Sequence, residues 1–170
     1  MDPVQLQFEQ GVGDRFADWL SATSEAQCLF LRRADLAPDL VYSYREEELL
    51  VEITAAYYDG SHAAFLWEAA RGAIDGSAGW AGENPDNLLA AAIRKRIVEK
   101  SKKRYGENTV LLIEVPPSVT SAESLADLIV DQSLPSKTPF AGIFVVGNFP
   151  VTAYSTGGYR VISIKPLASA

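Results

Sequence analysis

The chain has 170 residues, of which 48% are hydrophobic and 22% charged, and its net charge is −7. This composition is that of an ordinary globular protein, and a chain of this length buries roughly 70% of the surface that its unfolded form exposes. We therefore expect a single domain over residues 1–170 that needs no disulfide or metal for its stability. One cysteine, Cys28, excludes an internal disulfide framework and a cysteine-based zinc site, and one histidine, His62, excludes a multi-histidine metal cluster.

Charge and hydropathy along the chain restrict its location and its partners. No apolar run approaches the ~20 residues of a membrane helix, and the N-terminus, Met1-Asp2-Pro3, lacks the layout of a signal peptide. We therefore expect a cytoplasmic protein with no membrane partner. The acidic net charge argues against a general nucleic-acid coat protein, because phosphate contacts need clustered lysine and arginine. The segment 94–104, RKRIVEKSKKR, is the one basic concentration, with seven basic residues and one acidic residue.

The first half of the chain predicts a helix followed by three strands. Large apolar residues recur every four positions from about Val4 to Ser21, which is the pattern of an amphipathic helix. Short apolar runs then predict strands over 27–32, 40–44 and 49–57. The acidic triplet Glu46-Glu47-Glu48 predicts a polar hairpin turn between the second and third strands.

The second half predicts helices alternating with strands. A short helix from Phe65 to Ala73 and a glycine-rich loop over 72–82 come first. Asn84-Pro85-Asp86 then predicts the start of a long helix that runs to about Tyr105 and stops at Gly106. The segments that follow are a buried strand over 109–115, a helix over 121–132, a buried strand over 140–146 and an edge strand over 159–164. The predicted fold class is α/β, an α+β mixed sheet with helices on its faces.

Two carboxylates stand out on the predicted strands. Asp39 follows Pro38 at the mouth of the second strand, and Glu52 lies in the middle of the third, between Val51 and Ile53. A carboxylate inside so apolar a strand costs free energy unless it is paired or bound to a metal. If the two strands form a hairpin, Asp39 and Glu52 approach each other, and such a pair can hold a divalent cation for phosphodiester cleavage.

Pro38-Asp39 followed by Glu52-Ile53-Thr54 resembles the signature of the PD-(D/E)XK, restriction-endonuclease-like, nuclease superfamily. The family core is a helix, three meandering strands, a helix and a strand, and the resemblance covers roughly residues 4–115. It implies a divalent-metal-dependent endonuclease that acts on DNA, with Mg²⁺ held by Asp39 and Glu52. It also implies a further ligand on the first helix, where Glu9 stands.

Threonine at position 54 departs from the family pattern, whose third motif residue is lysine. Threonine donates a hydrogen bond but carries no charge. Some family members draw the basic residue from the following helix, and helical spacing places Arg96 and Lys100 in the inward stripe of the predicted long helix. We therefore predict that Arg96 or Lys100 replaces the motif lysine as a catalytic residue.

Several alternatives remain open at this stage. Glu52 is also explained by a structural ion pair with Arg96 or Lys100, and Glu9 by a solvated helix position. The alternative function is a catalytically inactive nuclease-fold domain that binds a protein, through the segment between Trp67 and Trp80, or a nucleic acid, or forms a homodimer. A small-molecule or oligomer-forming α/β protein unrelated to nucleases is a third possibility.

Overall fold

The computed structural model describes residues 2–57, 84–117, 121–151 and 157–168. Helices of this part of the chain are α1 (Pro3–Thr23), α2 (Pro85–Lys100) and α3 (Ala122–Val130). Its strands are β1 (Cys28–Arg33), β2 (Leu40–Tyr44), β3 (Glu47–Ala55), β4 (Thr109–Glu114), β5 (Gly142–Phe149) and β6 (Gly158–Lys165). The predicted helix over 65–73, the loop over 72–82, His62, Trp67 and Trp80 lie outside the described residues.

The six strands form one mixed sheet in the order β1-β2-β3-β4-β5-β6. The first three strands pair antiparallel, β3, β4 and β5 pair parallel, and β6 returns antiparallel to β5. Buried apolar residues form one cluster between the sheet and α1 and another between the sheet and the pair α2 and α3. The prediction of a mixed sheet with helices on its faces, in the order helix, three strands, helix, strand, is confirmed. None of the described helices has the length and apolar character needed to cross a membrane.

Side chains of β3 alternate between the two helical layers. Val51 and Ile53 belong to the apolar cluster beneath α1. Glu52 lies opposite Leu111 of β4, whose side chain belongs to the cluster beneath α2 and α3. Strand alternation thus places Glu52 on the face opposite to that of Val51 and Ile53, and it directs the carboxylate toward α2.

The helix predicted from about Val4 to Ser21 is confirmed as α1. Asp2 caps it, because an Asp2 carboxylate oxygen accepts a hydrogen bond from the Val4 N–H at 3.0 Å. Gly13 lies at the closest approach of α1 to β2, where an added Cβ would stand 2.5 Å from both Leu40 Cδ1 and the Tyr42 hydroxyl. The glycine that weakens helix propensity here is what lets the helix reach the sheet.

The hairpin turn between β2 and β3 differs from its prediction. The turn residues are Arg45 and Glu46, both with positive φ, while Glu47 and Glu48 belong to β3. Positive φ at both central residues is the conformation of a two-residue turn whose twist matches that of paired strands. Glu47 and Glu48, at the start of β3, are exposed, so these two acidic side chains remain solvated.

The start of α2 is confirmed, but its predicted end is wrong. The helix ends at Lys100 and not near Tyr105. The N–H groups of Lys102 and Lys103 bond to carbonyls three residues earlier, at 3.3 and 3.0 Å, which tightens the chain into a turn and ends the helix. Gly106 follows in extended chain, close against Leu50 of β3.

Candidate functional site

Glu52 is the centre of the candidate site. Its side chain is 4% exposed, and the Lys100 Nζ lies 2.5 Å from Glu52 Oε1. The Tyr105 hydroxyl donates a second hydrogen bond to the same oxygen at 3.1 Å. The other oxygen, Oε2, is buried and has no hydrogen-bond partner among the described residues. The carboxylate is therefore hydrogen-bonded through one oxygen, while its other oxygen is buried and unpartnered.

Asp39 lies directly beside Glu52. Its N–H donates to the Val51 carbonyl at 3.0 Å, and its Oδ2 accepts from the Ile53 N–H at 2.7 Å. Asp39 is therefore hydrogen-bonded to β3 on both sides of Glu52. Burial raises the pKa of the Asp39 carboxyl to about 6, and the negative charges of Glu52 and Glu9 add to that rise. The hydrogen bond from Ile53 acts against it. The hairpin expected between the two strands is formed, and Asp39 contacts both neighbours of Glu52 in β3.

Glu9 is buried in α1 and is not a solvated helix residue. Its Oε1 accepts from Gln5 Nε2 at 2.9 Å, and its Oε2 lies 3.2 Å from the Arg33 Nη1. Arg33 also donates to the Leu6 carbonyl. Both oxygens of Glu9 are therefore already engaged, and its role as a metal ligand stays a prediction.

Arg96 and Lys100 serve different partners, although both lie on the inward side of α2. Arg96 Nε donates to the Ala55 carbonyl at the end of β3, at 2.9 Å, and its Nη1 lies 3.1 Å from Glu99. Lys100 alone of the two reaches Glu52 within the described part of the chain. The structure therefore favours Lys100 over Arg96 as the cation beside the acidic pair.

An open cleft of about 340 Å³ lies at this end of β3. Its walls come from α1, β3 and α2, whereas Asp39 and Glu52 lie outside its lining. The lining residues are Gln5, Phe8, Glu9, Ile53, Thr54, Ala55, Tyr57, Arg96 and Lys100. Half-buried Thr54 is one of them. The charged residues that line the cleft are Arg96, Lys100 and Glu9.

Asp39 and Glu52 have the donor chemistry that Mg²⁺ requires. No group of three or more His, Cys, Asp or Glu side chains within the described ranges is close enough to hold a metal ion. Mg²⁺, however, is commonly held by one or two carboxylates and keeps several waters. Asp39 and Glu52 supply two neighbouring carboxylates, and the unpartnered Oε2 of Glu52 supplies a free oxygen. The donor chemistry of these two carboxylates is therefore compatible with Mg²⁺.

Sequence reasoning missed two residues of this region. Tyr105 was expected to end a helix, but its hydroxyl bonds to Glu52 and its ring packs on Phe140 with centroids 4.9 Å apart. Burial and the charge of Glu52 raise the pKa of the Tyr105 hydroxyl, which keeps it a donor at neutral pH. Arg33, at the end of β1, neutralises Glu9 from a strand distant in sequence.

Comparisons with known proteins assign no family to the chain. No protein-family model and no curated protein matches it. Among solved structures it is similar to the structure of Pyrococcus furiosus SfsA in complex with Ca²⁺, with 11% sequence identity and a TM-score of 0.27. The alignment covers 94% of this chain and 64% of the SfsA chain. Similarity at this level establishes neither a shared fold nor a shared activity.

Proposed function

We propose that the chain is a divalent-metal-dependent endonuclease acting on DNA, with Asp39 and Glu52 as metal ligands and Lys100 in place of the motif lysine. One observation carries the proposal. The Glu52 carboxylate has Lys100 on one oxygen, while its other oxygen is buried without a partner among the described residues. The oxygen that contacts Lys100 fixes the orientation of the carboxylate, and the unpartnered oxygen can bind a cation in this proposal.

The free-energy cost of burying Asp39 and Glu52 supports the proposal of a bound cation. A buried carboxylate oxygen without a partner costs roughly 1–3 kcal/mol, and the charge of Glu52 raises the pKa of Asp39 and so disfavours its ionisation. One lysine does not balance both acids, and Glu9 already has its own arginine. A divalent ion held by Asp39 and Glu52 would offset their negative charges and give the unpartnered oxygen of Glu52 a ligand.

The chain's own residues have separate tasks in this proposal. A bound Mg²⁺ supplies Lewis acidity at the phosphate and lowers the pKa of a coordinated water. Lys100 orients Glu52 and presents an ammonium group, on a side chain that is 20% exposed, to negative charge in the cleft. Tyr105 holds the Glu52 oxygen that Lys100 also contacts, so the opposite oxygen keeps its direction.

Cleavage of a labelled DNA duplex in the presence of Mg²⁺ tests the proposal. We expect Glu52→Gln and Asp39→Asn to abolish cleavage, and Lys100→Met to reduce it strongly. Glu48→Gln removes an exposed carboxylate from the same strand and is the matched control, expected to cleave as wild type does. Circular dichroism verifies that each variant folds. Undiminished cleavage by folded Glu52→Gln would refute the proposed role of the acidic pair.

A second candidate is the catalytically inactive binding domain. The observation that favours it is the internal neutralisation of the acids: Lys100 pairs with Glu52, and Arg33 pairs with Glu9. In this case the pairs serve stability alone, and neither Mg²⁺ nor Mn²⁺ stabilises the fold. DNA or protein binding by Glu52→Gln then equals that of wild type.

A further inference from the structure

The basic segment 94–104 is only partly used by the candidate site. Arg96 and Lys100 turn toward the cleft, whereas Lys102, Lys103 and Arg104 follow the end of α2 and are exposed. None of these three cations has an ion pair or hydrogen bond from its side chain to a described residue. They are therefore concentrated, solvated and unneutralised in a chain whose net charge is −7.

The turn that carries these cations is anchored to Glu52 at both ends. Lys100 precedes it and Tyr105 follows it, and both contact the same Glu52 oxygen, at 2.5 and 3.1 Å. No residue of the turn is more than two residues from one of these anchors, and two residues of chain span at most about 7 Å. The backbone that carries the cations is therefore held near Glu52.

We infer that Lys102 and Lys103, with Arg104, form a backbone-binding arm that contacts the phosphates flanking the one held at the acidic pair. The inference rests on the proposed nucleic-acid substrate. A polyanion is the partner that fits, because the chain is acidic as a whole and, within its described part, this turn offers several free cations together. Such contacts position the strand and carry no sequence information.

A structural role for the same cations makes a different prediction. Lysines near the C-terminus of a helix interact favourably with its dipole. If that were their whole role, their removal would lower the unfolding temperature and leave binding to DNA unchanged. Salt dependence of binding separates the two roles, because only phosphate contacts release counterions from DNA.

The test measures fluorescence anisotropy of a labelled DNA duplex over a range of NaCl concentrations, without divalent metal so that no cleavage occurs. Lys102→Gln/Lys103→Gln is compared with Arg32→Gln/Arg45→Gln, which removes the same charge from exposed positions on β1 and the β2–β3 turn. We expect the first variant to lower the salt slope by about 1.8, at about 0.9 for each phosphate that its lysines no longer neutralise. The second variant is expected to leave the slope unchanged.

The outcomes distinguish this inference from the proposed function. Equal slopes for the two double variants, or no binding of DNA by wild type, would overturn the backbone-binding arm. A lowered slope for Lys102→Gln/Lys103→Gln supports it even if wild type fails to cleave, and that failure would overturn only the endonuclease. Cleavage by wild type together with equal slopes would overturn only the backbone-binding arm and would support the endonuclease.

Discussion

At the scale of single residues, the buried ion pair with Lys100 fixes the position of the Glu52 carboxylate. A buried pair gains little over a well-packed apolar pair, since desolvation of both charges offsets their attraction. Removing one partner is costly because the other remains buried and charged. Loss of either Lys100 or Glu52 is therefore expected to destabilise the protein, whatever ligand the unpartnered Glu52 Oε2 binds.

A double-mutant cycle tests this dependence. We expect Lys100→Met to lower the free energy of unfolding by about 3–5 kcal/mol, the cost of an uncompensated buried charge. Lys100→Met/Glu52→Gln should recover part of that loss, because the unpaired carboxylate is gone. Denaturation in urea measures all four proteins. Strictly additive losses would show that the two side chains do not interact.

Glu114 predicts a pH dependence of stability. Burial raises the pKa of this carboxyl to about 7, against an opposing effect of Arg15. The folded state therefore holds a proton that the unfolded state has lost between about pH 4.5 and 7, and the free energy of unfolding falls as pH rises through that window.

Glu114→Gln should weaken this fall, by an amount on the order of 2 kcal/mol. Urea denaturation of both proteins at pH 5 and pH 7.5 measures it. The raised pKa of Asp39 acts in the same direction in both proteins, so the difference between them isolates Glu114. The same decline in the two proteins would contradict a raised pKa of the half-buried Glu114 carboxyl.

Part of the candidate site follows from the sequence alone. Strand alternation places Glu52 on the face of the sheet opposite to that of Val51 and Ile53. Helical spacing places Lys100 on the inward side of α2. Both are periodic properties of one element. Tyr105 and Arg33 could not be found in this way, because their contacts depend on how the chain turns after α2 and on how β1 approaches α1.

At the scale of elements, the two glycines of α1 differ in their surroundings. An added Cβ at Gly11 has no atom within 4 Å, whereas at Gly13 it meets Leu40 and Tyr42 at 2.5 Å. Helix propensity penalises both glycines equally, so only packing distinguishes them.

Alanine substitutions separate these effects. Gly11→Ala should stabilise the protein by about 0.5–1 kcal/mol, through the lower entropy of its unfolded chain. Gly13→Ala should destabilise it, because overpacking typically costs about 1–3 kcal/mol. Thermal unfolding of the two variants measures the contrast. Equal stabilisation of both would mean that α1 does not pack closely on β2.

The two misplaced boundaries have physical causes. An acidic triplet is typical of a turn, but pairing of β3 with β2 extends to Glu47, where the side chains of Glu47 and Glu48 are exposed and keep their solvation. The chain after Lys100 has helix-forming lysines, yet it leaves the helix where Tyr105 can reach Glu52 and Phe140. In both cases tertiary contacts outweigh local propensity.

At the scale of the whole molecule, the sheet explains why the site lies where it does. The antiparallel hairpin of β2 and β3 brings Asp39 beside Glu52, and the parallel pairing of β3 with β4 requires the connection that contains α2. α2 thereby lies across the Glu52 face of the sheet. This order of elements was predictable from hydrophobic patterns, whereas the opening of a cleft between α1 and α2 depends on their packing angles.

A metal ion bound by Asp39 and Glu52 is the premise of the proposed activity, and its most direct test is the free energy of unfolding as a function of Mg²⁺ concentration. We expect Mg²⁺ to stabilise wild type, by about 2.7 kcal/mol at about one hundred times its dissociation constant. Glu48→Gln, the exposed control, should respond in the same way, and Glu52→Gln should not respond. Stability of wild type independent of Mg²⁺, or equal stabilisation of Glu52→Gln, would contradict the proposed metal site.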